Sequence, residues 1–149
     1  MGQLDKVDRQ ILDALSQDAR MSMAEIGRRV HMSRVAVRAR VKRLIDEGVI
    51  QEFTTVVDSS ALGYDVHAFF EIEVIPNQIE SVARALARTD QVTVVYQMTG
   101  SGALHVHAFL KDTRDLAVFL REHIYSIPGV VKVSSDLLLQ RFKSVLSVR

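Results

Sequence analysis

Two short helices joined by a tight turn are predicted between residues 21 and 50, and no other stretch constrains the fold as strongly. Ser22 and Glu25 have the spacing of a capping box, in which each side chain satisfies a backbone donor at a helix start. Ser33 can cap the second helix, and Gly48 can end it because glycine readily adopts the left-handed conformation of a helix stop. The pattern therefore predicts a helix-turn-helix.

The turn between these helices falls at His31, where glycine would be the ordinary choice. Histidine can adopt a positive φ at modest cost, so the turn is expected to form with His31 in that conformation. Each helix carries an apolar stripe at helical spacing. The stripes are Met23, Ile26 and Val30 in the first helix, and Val37, Val41 and Leu44 in the second.

Basic residues are concentrated on the second helix and at the end of the first. Seven lysines and arginines, and no acid, lie between Arg28 and Arg43. Because the apolar stripe takes one side of the helix, part of this charge faces outward. It can bind DNA phosphates there, while short side chains approach base edges in the major groove. An ordinary solvated surface is the alternative, but two capped helices and a tight turn coincide with the basic run, which favours DNA binding.

The candidate DNA contacts lie on the second helix and at its cap. They are Ser33, Arg34, Val35, Ala36, Arg38, Arg40 and Arg43. The small apolar members project away from the buried stripe and can contact thymine methyl groups, whereas arginines beside the stripe can reach phosphates or guanine edges. Two alternatives stay open: Ser33 acts only as a cap, and Arg40 supports the fold.

Composition excludes several classes of protein. The 149 residues contain no cysteine, which excludes disulfides, thiol catalysis and cysteine-bound zinc. No apolar run approaches the roughly 18 residues of a membrane helix, and the N-terminus lacks the pattern of a signal peptide, so we expect a cytoplasmic protein. The net charge of +1 is weak for a protein that binds nucleic acid. Two or more subunits are therefore expected to bind DNA together.

A further helix precedes the helix-turn-helix, and an extended stretch follows it. The apolar stripe of that first helix is Leu4, Val7, Ile11, Leu12 and Leu15. Asp5 and Asp8 suit the positive N-terminal end of the same helix. β-branched residues between Val49 and Val57 predict a short wing or a strand. Residues 1–58 are thus predicted to form a winged-helix-like DNA-binding domain, followed by a hinge at residues 59–63.

Residues 64–149 alternate strand and helix patterns. Strands are predicted at 64–74, 92–99 and 104–110, with a last strand beginning at Val130. One helix follows Asn77, which can form a capping pair with Glu80, and another begins at Asp112. The order βαββαβ is the ferredoxin-like pattern, with both helices on one face of an antiparallel sheet. The predicted fold class is α+β: a helix-turn-helix domain followed by a ferredoxin-like domain.

The other face of this sheet needs a cover. It is expected to carry His67, Phe69, Glu71, Glu73, His105, His107 and Phe109. Exposed phenylalanines are costly in water and a second sheet is the natural cover, so we expect a homodimer formed through this domain. His67, His105 and His107 are also candidates for a metal site or a pH-sensitive contact. Imidazoles that are simply buried at a dimer interface would give the same pattern, and we assign no metal.

No catalytic constellation is found, so an enzyme and a cofactor are not expected. Residues 100–102 read Gly-Ser-Gly, but a dinucleotide fingerprint needs a third glycine and a helix directly after the turn. A nucleophile elbow needs Gly-x-Ser-x-Gly, which this stretch lacks. The segment is interpreted as a tight hairpin turn.

Motifs along nearly the whole chain resemble the leucine-responsive/asparagine-regulator (Lrp/AsnC, or feast/famine) transcription factors. They are Leu4-Asp5…Asp8…Ile11-Leu12, Ala19-Arg20, Ser33…Val37…Arg40-Val41…Leu44…Gly48-Val49-Ile50, Leu62-Gly63, Thr99-Gly100 and Pro128-Gly129-Val130. The resemblance implies an N-terminal DNA-binding unit and a C-terminal βαββαβ domain that senses a ligand. It also implies dimers that assemble into tetramers, octamers or higher forms, and an amino-acid effector bound near the loop between the second and third strands.

In this chain the implied effector loop comprises Gly100, Ser101, Gly102, Ala103 and Leu104. In the family an aspartate usually stands where this chain has Ala103, and its carboxylate can engage an amino group. The departure implies a different effector, weaker binding or none.

The sequence thus predicts a sequence-specific regulator that binds double-stranded DNA as a homo-oligomer and responds to a small effector. One alternative is an architectural protein that wraps DNA without an effector. Another is a metal or pH sensor that uses the histidines of the sheet.

Overall fold

The computed structural model describes residues 3–99 and 104–143. The chain divides into two compact units, with the boundary between Val56 and Val57. The predicted hinge at residues 59–63 contains a 3₁₀ turn, Ser60–Leu62, that ends at Gly63 with φ 81°. No helix within the described ranges is long and apolar enough to cross a bilayer.

The N-terminal unit consists of three helices: α1 (Lys6–Gln17), α2 (Met23–Val30) and α3 (Arg34–Asp46). The predicted stripes meet in one core. Its buried members are Ile11, Ala14, Leu15, Met21, Ile26, Val30, Val37 and Val41. This core confirms the predicted packing of the first helix against the helix-turn-helix.

Local signals fix the helix ends as predicted. At the start of α2, Ser22 and Glu25 form both hydrogen bonds of the capping box. The Ser33 hydroxyl caps α3 by accepting the N–H of Ala36 at 3.2 Å. His31 takes the left-handed conformation, with φ 55° and ψ 44°, and Gly48 has φ 71° just after α3. The capping-box, turn and helix-stop predictions are confirmed.

The segment between Gln51 and Asp58 contains neither helix nor strand, so the predicted wing or strand is wrong for the single chain. β-branched residues favour extended backbone, but a strand needs a neighbour whose N–H and C=O groups complete the ladder. The side chains of Phe53, Val56 and Val57 are exposed, consistent with an extended segment that pairs with no strand among the described residues.

The C-terminal unit is a four-stranded antiparallel sheet with two helices. Its strands are β1 (Val66–Val74), β2 (Val92–Gln97), β3 (Leu104–Leu110) and β4 (Val130–Leu137). The spatial order is β2-β3-β1-β4, which places β1 and β3 side by side as the ferredoxin-like pattern predicts. The helices are α4 (Ile79–Leu86) and α5 (Thr113–Phe119), the latter continued by a π-helical turn over Leu120–Ile124. The predicted fold class is confirmed.

The start of α4 differs from the prediction. Pro76 opens a 3₁₀ turn, Pro76–Gln78, that precedes the helix, and Gln78 occupies the N-cap without a side-chain hydrogen bond. The capping pair of Asn77 and Glu80 is therefore wrong, because the turn shifts the cap by one residue. The other helix start is confirmed: the Asp112 carboxylate accepts the N–H groups of Arg114 and Asp115 at 2.7 and 2.8 Å.

Alternation along β1 and β3 separates the two faces of the sheet. One face packs against α4 and α5 and forms the core. Its buried members are Ala68, Phe70, Ile72, Val74, Val82, Leu86, Leu104, Val106, Ala108, Leu110, Phe119 and Ile124. The opposite side of the sheet, called the open face below, carries the alternate residues of the same strands.

Candidate nucleic-acid interface

The N-terminal half of α3 presents basic and small apolar side chains to solvent. Arg34, Val35 and Arg38 are exposed, and 70% of Val35 is accessible although it is apolar. Ala36 is half-buried, while Val37 lies in the core. Such a helix end, with arginines beside short side chains, has the composition needed to enter a major groove.

The C-terminal half of α3 uses its arginines differently. Arg40 Nη1 lies 2.6 Å from Asp5 Oδ2 and 2.8 Å from Asp8 Oδ1. Arg43 Nη2 lies 2.7 Å from Asp8 Oδ2, and its Nη1 lies 3.2 Å from Glu47. We call Asp5, Asp8, Arg40 and Arg43 the Asp8 cluster; it joins the start of α1 to α3.

The electrostatics of the cluster follow from its geometry. Burial alone would raise the pKa of Asp8, which is only 1% exposed. Hydrogen bonds from Arg43, from Arg40 and from the backbone of Asp5 outweigh burial and lower this pKa to about 2. The pKa of Asp5 is also lowered, first by the backbone N–H of Asp8 and then by Arg40. Asp8 therefore stays ionised at every pH at which a cell operates.

Of the seven predicted DNA contacts, the structure thus places Arg40 and Arg43 in ion pairs within the unit. This is the arrangement that the alternative for Arg40, a role in the fold, requires. For Arg34 and Arg38 no ion pair or hydrogen bond to another side chain is present among the described residues. DNA contact by any of the seven remains a prediction.

Sequence reasoning missed the second role of Asp5 and Asp8. It assigned them to the positive end of α1, and they do form a capping box there, with Asp8 N–H donating to Asp5 Oδ1 at 2.7 Å. The same carboxylates also bind the arginines of α3. A usable signal existed: acids three residues apart on α1 and arginines three residues apart on α3, each set beside an apolar stripe.

The turn before α3 depends on a close approach at Gly27. A Cβ on this glycine would lie 2.5 Å from the carbonyl oxygen of Met32. Met32 N–H in turn donates to the carbonyl of Gly27 at 2.9 Å. Gly27 and the left-handed His31 together fix the angle at which α3 leaves the turn.

The open face of the sheet brings the three predicted histidines together. The Nε2 atoms of His105 and His107 are 2.9 Å apart. The His67 ring stacks on Phe109 with centroids 4.2 Å apart, and both its nitrogens are buried without a hydrogen-bond partner. Across the strands Phe69 is paired with His107, so an aromatic side chain lies beside the imidazoles.

The surroundings of His67 and His107 lower the pKa of both side chains and favour their neutral forms. Burial, followed by the nearby charges of His107 and Arg141, lowers the pKa of His67. Burial, followed by His105, lowers the pKa of His107. Within residues 3–99 and 104–143, no group of three or more histidine, cysteine or acidic side chains has an arrangement that could hold a metal ion.

The predicted effector loop lies mostly outside the described residues, which do not include Gly100, Ser101, Gly102 or Ala103. Leu104, the last member, begins β3, and its side chain is buried in the core of the C-terminal unit.

Two family models match the chain. Residues 4–45 match the AsnC-type helix-turn-helix domain, and residues 67–147 match the Lrp/AsnC ligand binding domain. The HTH-type transcriptional regulator Ptr1 of Methanocaldococcus jannaschii is 36% identical over 140 residues, which cover 94% of this chain and 95% of Ptr1.

Solved structures of similar proteins share the fold. Escherichia coli AsnC superposes with a TM-score of 0.89 at 26% identity, covering 96% of this chain and 97% of AsnC. The feast or famine regulatory protein of Mycobacterium tuberculosis, solved in complex with L-methionine, has a TM-score of 0.91 at 26% identity. That match covers 98% of this chain and 99% of the other. The capped helix-turn-helix, the βαββαβ sheet and these matches lead to one conclusion: the chain belongs to the Lrp/AsnC family of DNA-binding transcriptional regulators and is not an enzyme.

Proposed function

We propose that this regulator reads a specific DNA sequence with the N-terminal half of α3, as a homodimer or larger assembly whose DNA affinity an amino acid modulates. The observation that carries the first part is the exposure of Arg34, Val35 and Arg38 on a helix whose opposite side is buried. These side chains can bind phosphates, guanine edges and thymine methyl groups.

The dimer is inferred from the open face. Phe69, Phe109 and His67, whose ring nitrogens have no hydrogen-bond partner, lie on it, and Tyr96 is more than half exposed at its edge. Imidazole nitrogens that are buried without a hydrogen bond, together with half-exposed aromatic rings, favour an apolar cover. A second copy of the same face supplies one by two-fold symmetry. Two subunits would then present two α3 helices to the half-sites of one operator.

An amino-acid effector is inferred from the family and from the relative solved with L-methionine. The effector would bind at the loop that contains residues 100–104 and shift the assembly, and through it the affinity for DNA. Ala103 lacks the carboxylate that this family usually places there, so the effector is expected to be bound less tightly through its amino group or to differ in chemistry.

The first experiment selects the preferred duplex from a random pool and measures its Kd by fluorescence anisotropy at several salt concentrations. Arg38→Gln is expected to weaken binding and to reduce the salt slope by about one phosphate contact for each DNA-bound subunit. Arg121→Gln removes the same charge from the C-terminal unit and should leave both unchanged. Failure to select any preferred sequence, or equal effects of the two variants, would contradict the proposal.

A second experiment measures the mass of the assembly by light scattering, with and without each of the twenty amino acids. A change in mass and in DNA affinity with one amino acid supports an effector. An effector-independent architectural protein is the second candidate, and Ala103 is the observation that favours it. That candidate predicts no calorimetric binding of any amino acid, and DNA binding with little preference for one sequence.

A further inference from the structure

Asp8 connects α1 to α3 through two separate bonds. Each carboxylate oxygen receives a different guanidinium: Oδ1 that of Arg40 at 2.8 Å, and Oδ2 that of Arg43 at 2.7 Å. The two arginines are three residues apart, on one side of α3. Two attachment points along a helix restrain its rotation about its own axis, which a single contact would not do.

The apolar core restrains this rotation by packing on one side of α3, and the ion pairs of Asp8 add directional contacts outside that core. Val37, Val41 and Leu44 pack by non-directional burial. Side chains extend to about 5 Å from a helix axis, so a rotation of about 20° moves their tips by about 2 Å. Hydrogen bonds to base edges tolerate only about 0.5 Å, which makes the rotation of α3 important for reading DNA.

The Asp8 cluster also determines which part of α3 carries unpaired positive charge. Arg40 and Arg43 are neutralised by Asp8 and its neighbours, and Lys42 pairs with Asp46 at 2.6 Å. The net positive charge therefore remains at the N-terminal end, with Arg34 and Arg38. A buried ion pair can often be replaced as a whole by apolar residues without loss of stability, so the use of this cluster is better sought in the specificity of the arrangement.

We propose that Asp8 is a positioning residue for DNA recognition: through Arg40 and Arg43 it sets the rotation of α3 and keeps both arginines off the phosphates. This inference rests on the proposed function of α3. Loss of Asp8 would remove one of the two acidic partners of each arginine, because Arg40 keeps Asp5 and Arg43 keeps Glu47. The positive charge beside the DNA surface would rise by one, and the recognition helix would be held less firmly. Sequence preference would fall and non-specific binding would rise together.

The test compares Asp8→Asn with Asp13→Asn. Asp13 is an exposed acid on the same helix that accepts a hydrogen bond from Gln17 and does not bind α3, so the change in charge is matched. Kd is measured for the duplex selected by the wild-type protein and for a scrambled duplex, at a temperature where circular dichroism shows each variant folded. Asp8→Asn is expected to lower the ratio of the two affinities by roughly tenfold and to steepen the salt slope on the scrambled duplex. Asp13→Asn should keep the ratio within about twofold.

Arg40→Gln keeps Asp8 paired with Arg43 and provides a milder variant if Asp8→Asn does not fold. It is expected to lower the affinity ratio without reducing the salt slope, because Arg40 does not touch a phosphate. A slope reduced by about one with an unchanged ratio would make Arg40 a direct DNA contact and overturn the proposal. A lower melting temperature with an unchanged ratio for both variants would overturn it as well and leave Asp8 a purely structural residue. A wild-type protein without sequence preference would instead refute the proposed function, and this inference with it.

Discussion

A side chain on Gly27 would meet the carbonyl oxygen of Met32, since its Cβ would lie only 2.5 Å away. Gly27→Ala is therefore expected to destabilise the N-terminal unit by about 1–3 kcal/mol, because the turn backbone would have to shift. At an unconstrained helix position the same change would stabilise by up to about 1 kcal/mol. Thermal unfolding of Gly27→Ala distinguishes destabilisation from stabilisation, and a rise in Tm would refute the close approach.

His31→Gly, unlike Gly27→Ala, should stabilise the N-terminal unit. His31 has φ 55° and is exposed, so glycine would relieve the left-handed strain and lose few contacts. Glycine also loses more conformational entropy on folding, and we expect a net gain of about 0.5–1 kcal/mol in the free energy of unfolding. His31→Val, which is β-branched, should destabilise. Urea unfolding of both variants tests the sign, and a loss of stability in His31→Gly would contradict the argument.

The stability of the N-terminal unit should depend on acid through Asp8. Its folded pKa of about 2 lies below the ordinary value of 3.8, so the folded state holds the proton less tightly than the unfolded state. The resulting stabilisation is fully present above about pH 4 and is lost as the pH falls towards about 2. Urea unfolding between pH 2 and pH 6 should show a smaller acid dependence in Asp8→Asn than in the wild-type protein. Equal curves for the two proteins would contradict the assignment.

The stability of the C-terminal unit should fall in mild acid, because two histidines of the open face lose their neutral form. The pKa values of His67 and His107 are both lowered from 6.5, so the folded state releases their protons more readily than the unfolded chain does. The contribution of these two histidines to the free energy of unfolding is therefore fully present above about pH 6.5 and is lost as the pH falls below it. His107→Gln should remove part of this decline. Thermal unfolding and light scattering at pH 5.5 and 7.5 measure the melting temperature and the mass of the assembly. A melting temperature of the wild-type protein that is the same at both pH values would refute the predicted decline in stability.

Charge on the open face should disrupt the proposed dimer. Phe69→Lys places a cation on β1, two residues from His67 and opposite His107 of β3, on the face expected to be covered. The mass is expected to fall to that of the monomer. The affinity for the operator is expected to fall at least tenfold, since each subunit would then bind alone. Val118→Lys, on an exposed part of α5, is the control and should change neither quantity. A dimeric Phe69→Lys would exclude this face as the interface.

Local signals were readable from sequence, whereas partnerships between distant residues were not. Ser22, Ser33 and Asp112 act within three residues of themselves, so their caps could be predicted without the fold. The alternation of β1 and β3 likewise identified the two faces of the sheet. The pairing of Arg40 with Asp5 and Asp8 spans more than thirty residues, and no periodicity reports which acid a given arginine meets.

Two errors have the same physical origin. The segment from Gln51 to Asp58 has the composition of a strand but no partner within residues 3–99 and 104–143, and composition carries no information on partners. Asn77 has the chemistry of a cap, yet Pro76 opens a 3₁₀ turn that moves the helix start to Ile79. In both cases a local preference was not sufficient: the strand needed a partner, and the cap depended on the turn beside it.

The capping box of α1 has a dynamic consequence. The carboxylates of Asp5 and Asp8 hold the first turn of α1 by accepting backbone N–H groups, and they hold Arg40 and Arg43 at the same time. Helix ends normally fray at little energetic cost and independently of their surroundings. Here the first turn of α1 cannot fray without opening its ion pairs with α3, so amide hydrogen exchange at the start of α1 reports how often Arg40 and Arg43 lose their acidic partners.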